Sequence, residues 1–253
     1  MKIFILLLKK TEYLSALSIR LVYITRKSKI PIHPKHLIRK EKLWYRNLLN
    51  KKMVVIDAGC GSGQHSLKIA PFVKKVIAID KDPGNLNIAE RGAKQKNIKN
   101  IHFVKGEIEE KINLAKNVGD LIILFDVLEH ISKRQKFLKE VYRVLKQRGK
   151  IIVVIPNIDT SWKRLQRKYG LFSYSDPDHK IEYTQKTIRN ELEKAGFIIE
   201  KVSRVSYDTP LVGFIDLVGG LSLYYYKKLA NWKEKMLKLH PENASGFQIV
   251  ASK

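Results

Sequence analysis

Four acidic residues and a glycine-rich turn carry the strongest chemical signal in this 253-residue sequence. The turn is Asp57-Ala-Gly59-Cys60-Gly61-Ser-Gly63, directly after an apolar run. Glycines there let the chain turn tightly and let a ligand touch bare backbone. A dinucleotide-type G-x-G-x-x-G turn needs Gly or Ala at its third position, and Gln64 stands there instead. The turn therefore suits a ligand without a pyrophosphate. Asp80 ends the next apolar run, 21 residues beyond Gly59, where a carboxylate can accept both hydroxyls of a ribose. Glu107 and Asp126 follow the third and fourth runs. Acids around a glycine loop fit a cationic nucleoside better than a phosphorylated one.

Asp126-Val-Leu-Glu129-His130 places one acid and then an acid–histidine pair at a strand end. Three readings are open. His130 can serve as a general base, since an unperturbed imidazole titrates near about 6.5. The three side chains can converge on a divalent cation, or they can only fasten the turn. Asp178-His179-Lys-Ile-Glu182-Tyr183-Thr184 is a second polar segment, read locally as a cap for the helix behind it. Nothing beside Cys60 would stabilise a thiolate, so it is expected to be inert. His65 is expected on a helix surface.

The elements that must position these groups alternate between strand and helix. MVVID (53–57), KVIAID (75–80), NIHFVKG (100–106), DLIILFD (120–126) and KIIVVIP (150–156) read as strands. DLIILFD is apolar on both faces, as a central parallel strand is. Asp82-Pro83 reads as the cap and first turn of a helix reaching about Gln95. Ser132 and Gln135 read as a capping box, on a helix with Phe137, Leu138, Val141 and Leu145 inward and Gly149 as its stop. Thr184 caps another, with Ile188, Leu192 and Ala195 inward and Gly196 as its stop. FIIEKVSRV (197–205) and SGFQIVASK (245–253) are the last strands. Such alternation predicts an α/β fold, a doubly wound parallel sheet with right-handed crossovers. Residues 1–52 are expected to form a basic arm, broken at Pro31 and Pro34, and a leading helix over about Leu37–Leu49. Residues 53–253 form one domain, with insertions at 157–183 and 208–244.

Composition bounds the partners. The chain has 49 Lys+Arg, 24 Asp+Glu and a net charge of +25, of which residues 1–52 hold +12. Such a field attracts nucleic acid or an anionic membrane face, unless the lysines only solvate helix surfaces. The 208–244 insertion runs apolar, then aromatic, then basic. Tyr224-Tyr225-Tyr226, Lys227-Lys228 and Trp232 are what an interfacial anchor uses; a lid or a dimer contact are the alternatives. In the arm, Leu14, Leu17, Leu21 and Ile24 fall near helical spacing among Arg20, Arg26 and Lys27. No apolar run approaches the roughly 18 residues that cross a bilayer. Ile3–Leu8 is short for a signal core and no small-residue cleavage pattern follows it. The chain is read as cytoplasmic, with peripheral membrane contact open. The single cysteine excludes an intramolecular disulfide and a zinc site built on several thiolates.

The series VIDAGCGSGQHSLKIA, VIAIDKDP, IHFVKGEIE, LIILFDVLEHI and VLKQRGKIIVVIPN, in this order and spacing, resembles the class I S-adenosylmethionine-dependent methyltransferases. It covers residues 53–157, and TQKTIRNELEKAGFIIEKV (184–202) with GFQIVAS extends it. The resemblance implies a Rossmann-like seven-stranded sheet of order 3-2-1-4-5-7-6, with strand seven antiparallel. It implies that Asp57 and the backbone of Gly59, Gly61 and Gly63 hold the methionine part of S-adenosylmethionine. Asp80 would bind the ribose, with Lys81 among the cofactor contacts. Glu107 and the backbone at Ile108 would face the adenine, and Asp126 would lie near the sulfonium. Glu107 departs from the Asp commoner at that place. Asp126-Val-Leu-Glu129-His130 resembles the D/E-x-x-E-H segment of small-molecule and quinone-type O-methyltransferases. That likeness implies catalytic roles for His130 and Glu129; a divalent cation is associated with this place in some of those enzymes, but none is expected here. His179 and Tyr183 would belong to the acceptor wall.

The leading expectation is methyl transfer to oxygen, from S-adenosylmethionine to a small acceptor, lipid-linked or glycan-linked, releasing S-adenosylhomocysteine. The alternative is an RNA methyltransferase acting on a ribose or a ring nitrogen. Carbon-5 cytosine methylation wants a Cys nucleophile, and the one Cys is in the glycine loop. The Asn/Asp-Pro-Pro-aromatic turn of base-amino methyltransferases is replaced by Asp126-Val-Leu-Glu129. A third reading is a non-catalytic binding protein on the same fold.

Overall fold

The structure is a computed structural model, and it describes residues 1–25, 27–28, 31–38 and 43–253. Seven strands form one sheet: β1 Val54–Ala58, β2 Lys75–Asp80, β3 Ile101–Lys105, β4 Gly119–Phe125, β5 Leu145–Pro156, β6 Ile198–Tyr207 and β7 Ala244–Ser252. Their order is β3-β2-β1-β4-β5-β7-β6. β1 to β5 pair in parallel, while β7 runs antiparallel to β5 from Lys150↔Ser252 to Pro156↔Gly246. The expected order and the reversed last strand are both found. In a parallel sheet every carboxyl end points to one edge, so Asp57, Asp80, Glu107 and Asp126 are delivered to the same side.

The chain divides into two compact units. The larger comprises residues 44–157, 175–203 and 246–253. Its helices are α4 Gln64–Ile69, α5 Pro83–Gln95, α6 Arg134–Val144 and α8 Gln185–Lys194. Its core sits on the central strands, with Ile56, Ile122, Leu124 and Val153 packed against Phe137, Leu138, Val141 and Leu192. Asp82 caps α5 by accepting from Gly84 N, with Pro83 in the first turn, as its sequence predicts. Thr184 and Thr187 cap α8 reciprocally.

Two local expectations are corrected. Ser132 and Gln135 make no capping box: α6 starts at Arg134, and Glu109 accepts from the backbone N–H groups of Ser132 (2.8 Å) and Lys133 (3.1 Å). A distant carboxylate outcompetes the local hydroxyl. Second, α6 ends at Val144 and Gly149 does not stop it; Leu145 already belongs to β5 and pairs with Gly119. The register then jumps to Leu121↔Lys150.

The other unit comprises residues 1–43, 158–174 and 204–245, so it groups most of the arm with part of the first insertion and the whole of the second. It is helical: α1 Lys2–Lys10, α2 Tyr13–Ile24, α3 Lys35–Ile38, α7 Ser161–Lys168, α9 Val212–Leu221 and α10 Leu223–Leu239. Of the leading helix expected over 37–49, the described residues show the end of α3 and a 3₁₀ turn at Arg46–Leu48; residues 39–42, and Arg26 of the arm, lie outside the described residues. α9 packs on α2. A Cβ on Gly213 would lie 1.8 Å from the Thr11 carbonyl oxygen, so only glycine admits this approach. Asp216 of α9 is buried and pins the unit: Ser15 Oγ donates to its Oδ2 at 2.6 Å, Tyr226 Oη to its Oδ1 at 3.1 Å, and His33 Nε2 lies 3.1 Å from Oδ2. No helix among the described residues is long and apolar enough to cross a membrane.

Candidate active site

The glycine loop leaves β1 with Gly59, Gly61 and Gly63 all at positive φ. At Gly59 the demand is doubled, because a Cβ would also lie 2.6 Å from Val127 Cγ2. Asp80 ties the loop down. Its Oδ2 accepts from Gly61 N at 2.7 Å and its Oδ1 from Asp82 N at 2.9 Å. Asp57 lies beneath the loop, 3% exposed, accepting from Ser66 Oγ at 2.5 Å. Burial pushes its carboxyl up to about 6, against the Ser66 hydrogen bonds and with help from the Asp80 charge. The Cys60 thiol is pushed up by burial and by the charges of Asp57 and Asp80, which keeps it protonated and inert.

A cavity of about 560 Å³ opens at the carboxyl edge of the sheet. Gly59, Asp80, Lys81, Glu107, Ile108 and Asp126 line it, with His130 on its wall. Six of the nine residues expected to bind the cofactor, or to face it, thus share one cleft with a candidate base. Asp57, Gly61 and Gly63 do not line it. The lining combines the acids Asp80, Glu107 and Asp126 with the apolar residues Ile79 and Ile108. That combination, with a backbone cradle that side chains would obstruct, fits a nucleoside carrying a positive charge. Asp126 adopts φ +55, a conformation that Asp tolerates better than most residues.

Beyond Asp126 a short 3₁₀ turn, Leu128–His130, turns Glu129 inward and leaves His130 exposed on the cleft. Glu129 is 1% exposed, and its two carboxylate oxygens lack a hydrogen-bond partner among the described residues. Burial, reinforced by the charge of Asp126, pushes its carboxyl up to about 8. The backbone oxygen of Glu129 accepts from Lys180 N at 2.8 Å, which holds the 178–183 segment against the turn. His179 is thereby placed beside both residues. Its ring lies edge-on to that of His130, centroids 4.7 Å apart, and its Nε2 is 4.0 Å from Glu129 Oε1. Its Nδ1 lies 2.9 Å from the buried Glu182 carboxylate, which fixes the ring. Ligand atoms of Glu129, His130 and His179 fall within 4.8 Å of one another, and these three could hold a metal ion.

Tyr183 is placed differently. It is fully buried in the core, its backbone N–H donating to Pro156 O at 3.2 Å, and it does not line the cleft. His65 is not a surface residue either. It is half-buried, its Nδ1 3.0 Å from Tyr45 Oη and its ring 4.3 Å from that of Phe125. Sequence reasoning missed Tyr45, and it quoted Asp178, Lys180 and Glu182 only as members of a polar segment, without a role for each. The acidic position three residues from His179 was the one available signal for Glu182.

Comparison with known proteins agrees with this geometry. A family model for the methyltransferase domain matches residues 49–196. A ubiquinone biosynthesis O-methyltransferase of Rickettsia akari is 30% identical over 141 residues, 56% of this chain and 52% of that protein. A ubiquinone/menaquinone biosynthesis C-methyltransferase of Blochmanniella floridana is 25% identical over 195 residues, 76% of this chain and 74% of that protein. The matched stretch thus spans about half the length of the Rickettsia relative. Among solved structures, a methyltransferase from Methanosarcina mazei superposes with a TM-score of 0.59 at 20% identity, covering 84% of this chain and 98% of that one. The [4+2]-cyclase SpnF superposes with 0.60, also at 20% identity, over 81% of this chain and 77% of that one. The fold by itself therefore does not name the reaction. Domain model, strand order and glycine–acid cleft coincide on the same residues, and the chain belongs to the class I S-adenosylmethionine-dependent methyltransferases.

Proposed function

We propose that this chain transfers a methyl group from S-adenosylmethionine to an oxygen of a small, lipid-linked or glycan-linked acceptor. The observation that carries this reading is the His130–His179–Glu182 arrangement at the Asp126 end of the nucleoside cleft. Bound S-adenosylmethionine supplies a methyl group on a positively charged sulfur. The chain's own residues do the rest. Asp80 receives the ribose hydroxyls, the glycine turn lets backbone approach the ligand, and Glu107 with Ile108 borders the adenine. His130 accepts the proton of an acceptor hydroxyl. His179, anchored by Glu182, steadies the imidazole of His130 edge-on. Proximity and orientation supply most of the acceleration, and the base adds roughly 10²- to 10⁴-fold. The O-methyltransferase of Rickettsia supports oxygen; the C-methyltransferase of Blochmanniella supports carbon as the competing atom. Peripheral contact with an anionic membrane belongs to the same reading, as the source of a hydrophobic acceptor.

The test is extraction and identification of labelled metabolites after incubation with S-adenosylmethionine carrying a labelled methyl group. Label in an O-methylated small molecule or lipid is expected. Label in RNA, with a salt-sensitive gel shift, would replace this acceptor class by the nucleic-acid alternative.

A second reading is favoured by one observation, the unpartnered Glu129 carboxylate beside two imidazoles. Those donors suit a divalent cation, and Glu182 would orient His179 as carboxylates orient metal-bound histidines. Turnover abolished by a chelator and restored by a divalent ion selects this reading. Turnover indifferent to chelation selects His130 as a plain base.

A further inference from the structure

The helical unit has an unusual surface. Among the described residues, 21 large hydrophobic side chains are exposed, and 18 of them belong to this unit of 102 residues. The remaining three are scattered over the larger unit, as isolated exposed apolar residues usually are. The same 102 residues hold 21 Lys+Arg and 7 Asp+Glu, a net charge of +14. Apolar exposure and positive charge are therefore concentrated in one place.

Their arrangement along each helix is also alike. In α1, Ile3, Phe4 and Leu7 are exposed at one-turn spacing, Ile3 at 75%, while Ile5 is buried and anchors the helix. Lys9 and Lys10 close it. In α2, Tyr13, Leu17 and Ile24 form an exposed stripe at i, i+4 and i+11, interrupted by Arg20. Leu221 ends α9 at 61% exposed, and Tyr224 and Tyr225 open α10. Lys227 and Lys228 follow, with Lys228 Nζ 4.6 Å above the Tyr224 ring. Each of α1 and α10 thus presents apolar or aromatic side chains and then, within one or two turns, cations. α2, α9 and α10 pack successively on one another, so these side chains ride on a built scaffold.

We propose that this helical unit docks on the surface of an anionic lipid bilayer. Its exposed Ile, Leu, Phe and Tyr side chains enter the boundary between headgroups and acyl chains, and its lysines and arginines pair with lipid phosphates. Charge decides between occupants. A second copy would bring another +14 against the first, and repulsion opposes that pairing. Nucleic acid would satisfy the cations but gives Ile3, Phe4, Leu7 and Leu221 nothing to bury against. Of these three occupants, the anionic bilayer alone takes both sets. This deepens the reading above by naming the partner from which an acceptor would come, and it rests on that reading only for that consequence.

The experiment is flotation of the full-length protein with vesicles. One set contains phosphatidylglycerol in phosphatidylcholine and the other phosphatidylcholine alone, each at low and high salt. S-adenosylmethionine binding is measured by calorimetry on the same preparations. Strong flotation is expected with the anionic vesicles at low salt, falling at least about tenfold with neutral vesicles or at high salt. The double variant Phe4→Asp/Leu7→Asp changes only exposed side chains and should lose about tenfold or more of the flotation, with cofactor affinity unchanged. Phe4→Leu, which keeps the apolar surface, should float as wild type. Three results would overturn docking: wild type left at the bottom with anionic vesicles at low salt, equal flotation on neutral and anionic vesicles, or a double variant that floats undiminished. Tight RNA binding by a protein that does not float would assign the charge to nucleic acid. Lost cofactor binding with intact flotation would sink the methyltransferase reading and leave docking standing.

Discussion

Asp80 serves two masters at residue scale, accepting from the Gly61 N–H while lining the cleft. Asp80→Ala should weaken S-adenosylmethionine binding by roughly 1–3 kcal/mol in calorimetry, through unpaired ribose hydroxyls and a loosened loop. Gly59→Ala should lower stability by roughly 1–3 kcal/mol in denaturant unfolding, since φ +78 and the Val127 methyl both reject a Cβ. Glu129 gives a pH signature. Its carboxyl is raised from 4.5 to about 8, so between those values the folded state binds a proton that the unfolded chain does not. The stability it contributes is full below pH 4.5 and is lost as pH rises through about 8. Glu129→Gln should flatten that decline; an unchanged pH profile would mean that Glu129 is ionised in the fold. The strand-end acids were legible because a parallel sheet delivers every carboxyl end to one edge. The Glu182–His179 pair was half-legible from spacing. The Tyr45–His65–Phe125 cluster was not, because three separate segments meet there and no local pattern encodes the meeting.

At the scale of elements, the helical unit depends on a few close contacts. Asp216 is the central one. Burial alone would raise its carboxyl, but His33 and Ser15 hold it below the usual range. Asp216 therefore contributes stability above the ordinary Asp range that is lost as pH falls toward its folded value. Asp216→Ala should destabilise by roughly 1–3 kcal/mol, and a double-mutant cycle with Tyr226→Phe should show coupling, because the two side chains are hydrogen-bonded. Additive effects in that cycle would refute the pin. Helix and strand cores were readable from period, as at β2, which runs from Lys75 to Asp80 as its sequence suggests. Ends were less so. Ser132 looked like a cap, but Glu109, 23 residues away, supplies the acceptor. Gly149 looked like a stop, but pairing of Leu145 with Gly119 ends the helix earlier.

For the whole molecule, ligand linkage gives the broadest check. S-adenosylhomocysteine at about 100 times its dissociation constant should stabilise the fold by about 2.7 kcal/mol. The accompanying rise in melting temperature should shrink in Asp80→Ala at the same ligand concentration. The charge of +25 was plain from the sequence, but its meaning was not. Composition cannot tell a solvated lysine from one beside an exposed phenylalanine. Only the fold gathers residues 1–43, 158–174 and 204–245 into one unit and shows that their apolar side chains stay uncovered.

The raised carboxyl of Glu129, beside Asp126, has a thermochemical consequence. A carboxyl that titrates at about 8 responds to any charge that arrives next to it. On the proposed placement of the cofactor, S-adenosylmethionine would bring a positive sulfur to the Asp126 end of the cleft, and S-adenosylhomocysteine a neutral one. The first should drive Glu129 to ionise and release a fraction of a proton, and the second should not. Heats of S-adenosylmethionine binding should then differ between two buffers of unlike ionisation enthalpy, while heats for the product agree. Glu129→Gln should erase the difference. Substrate and product would be told apart, in part, by a proton that neither of them carries.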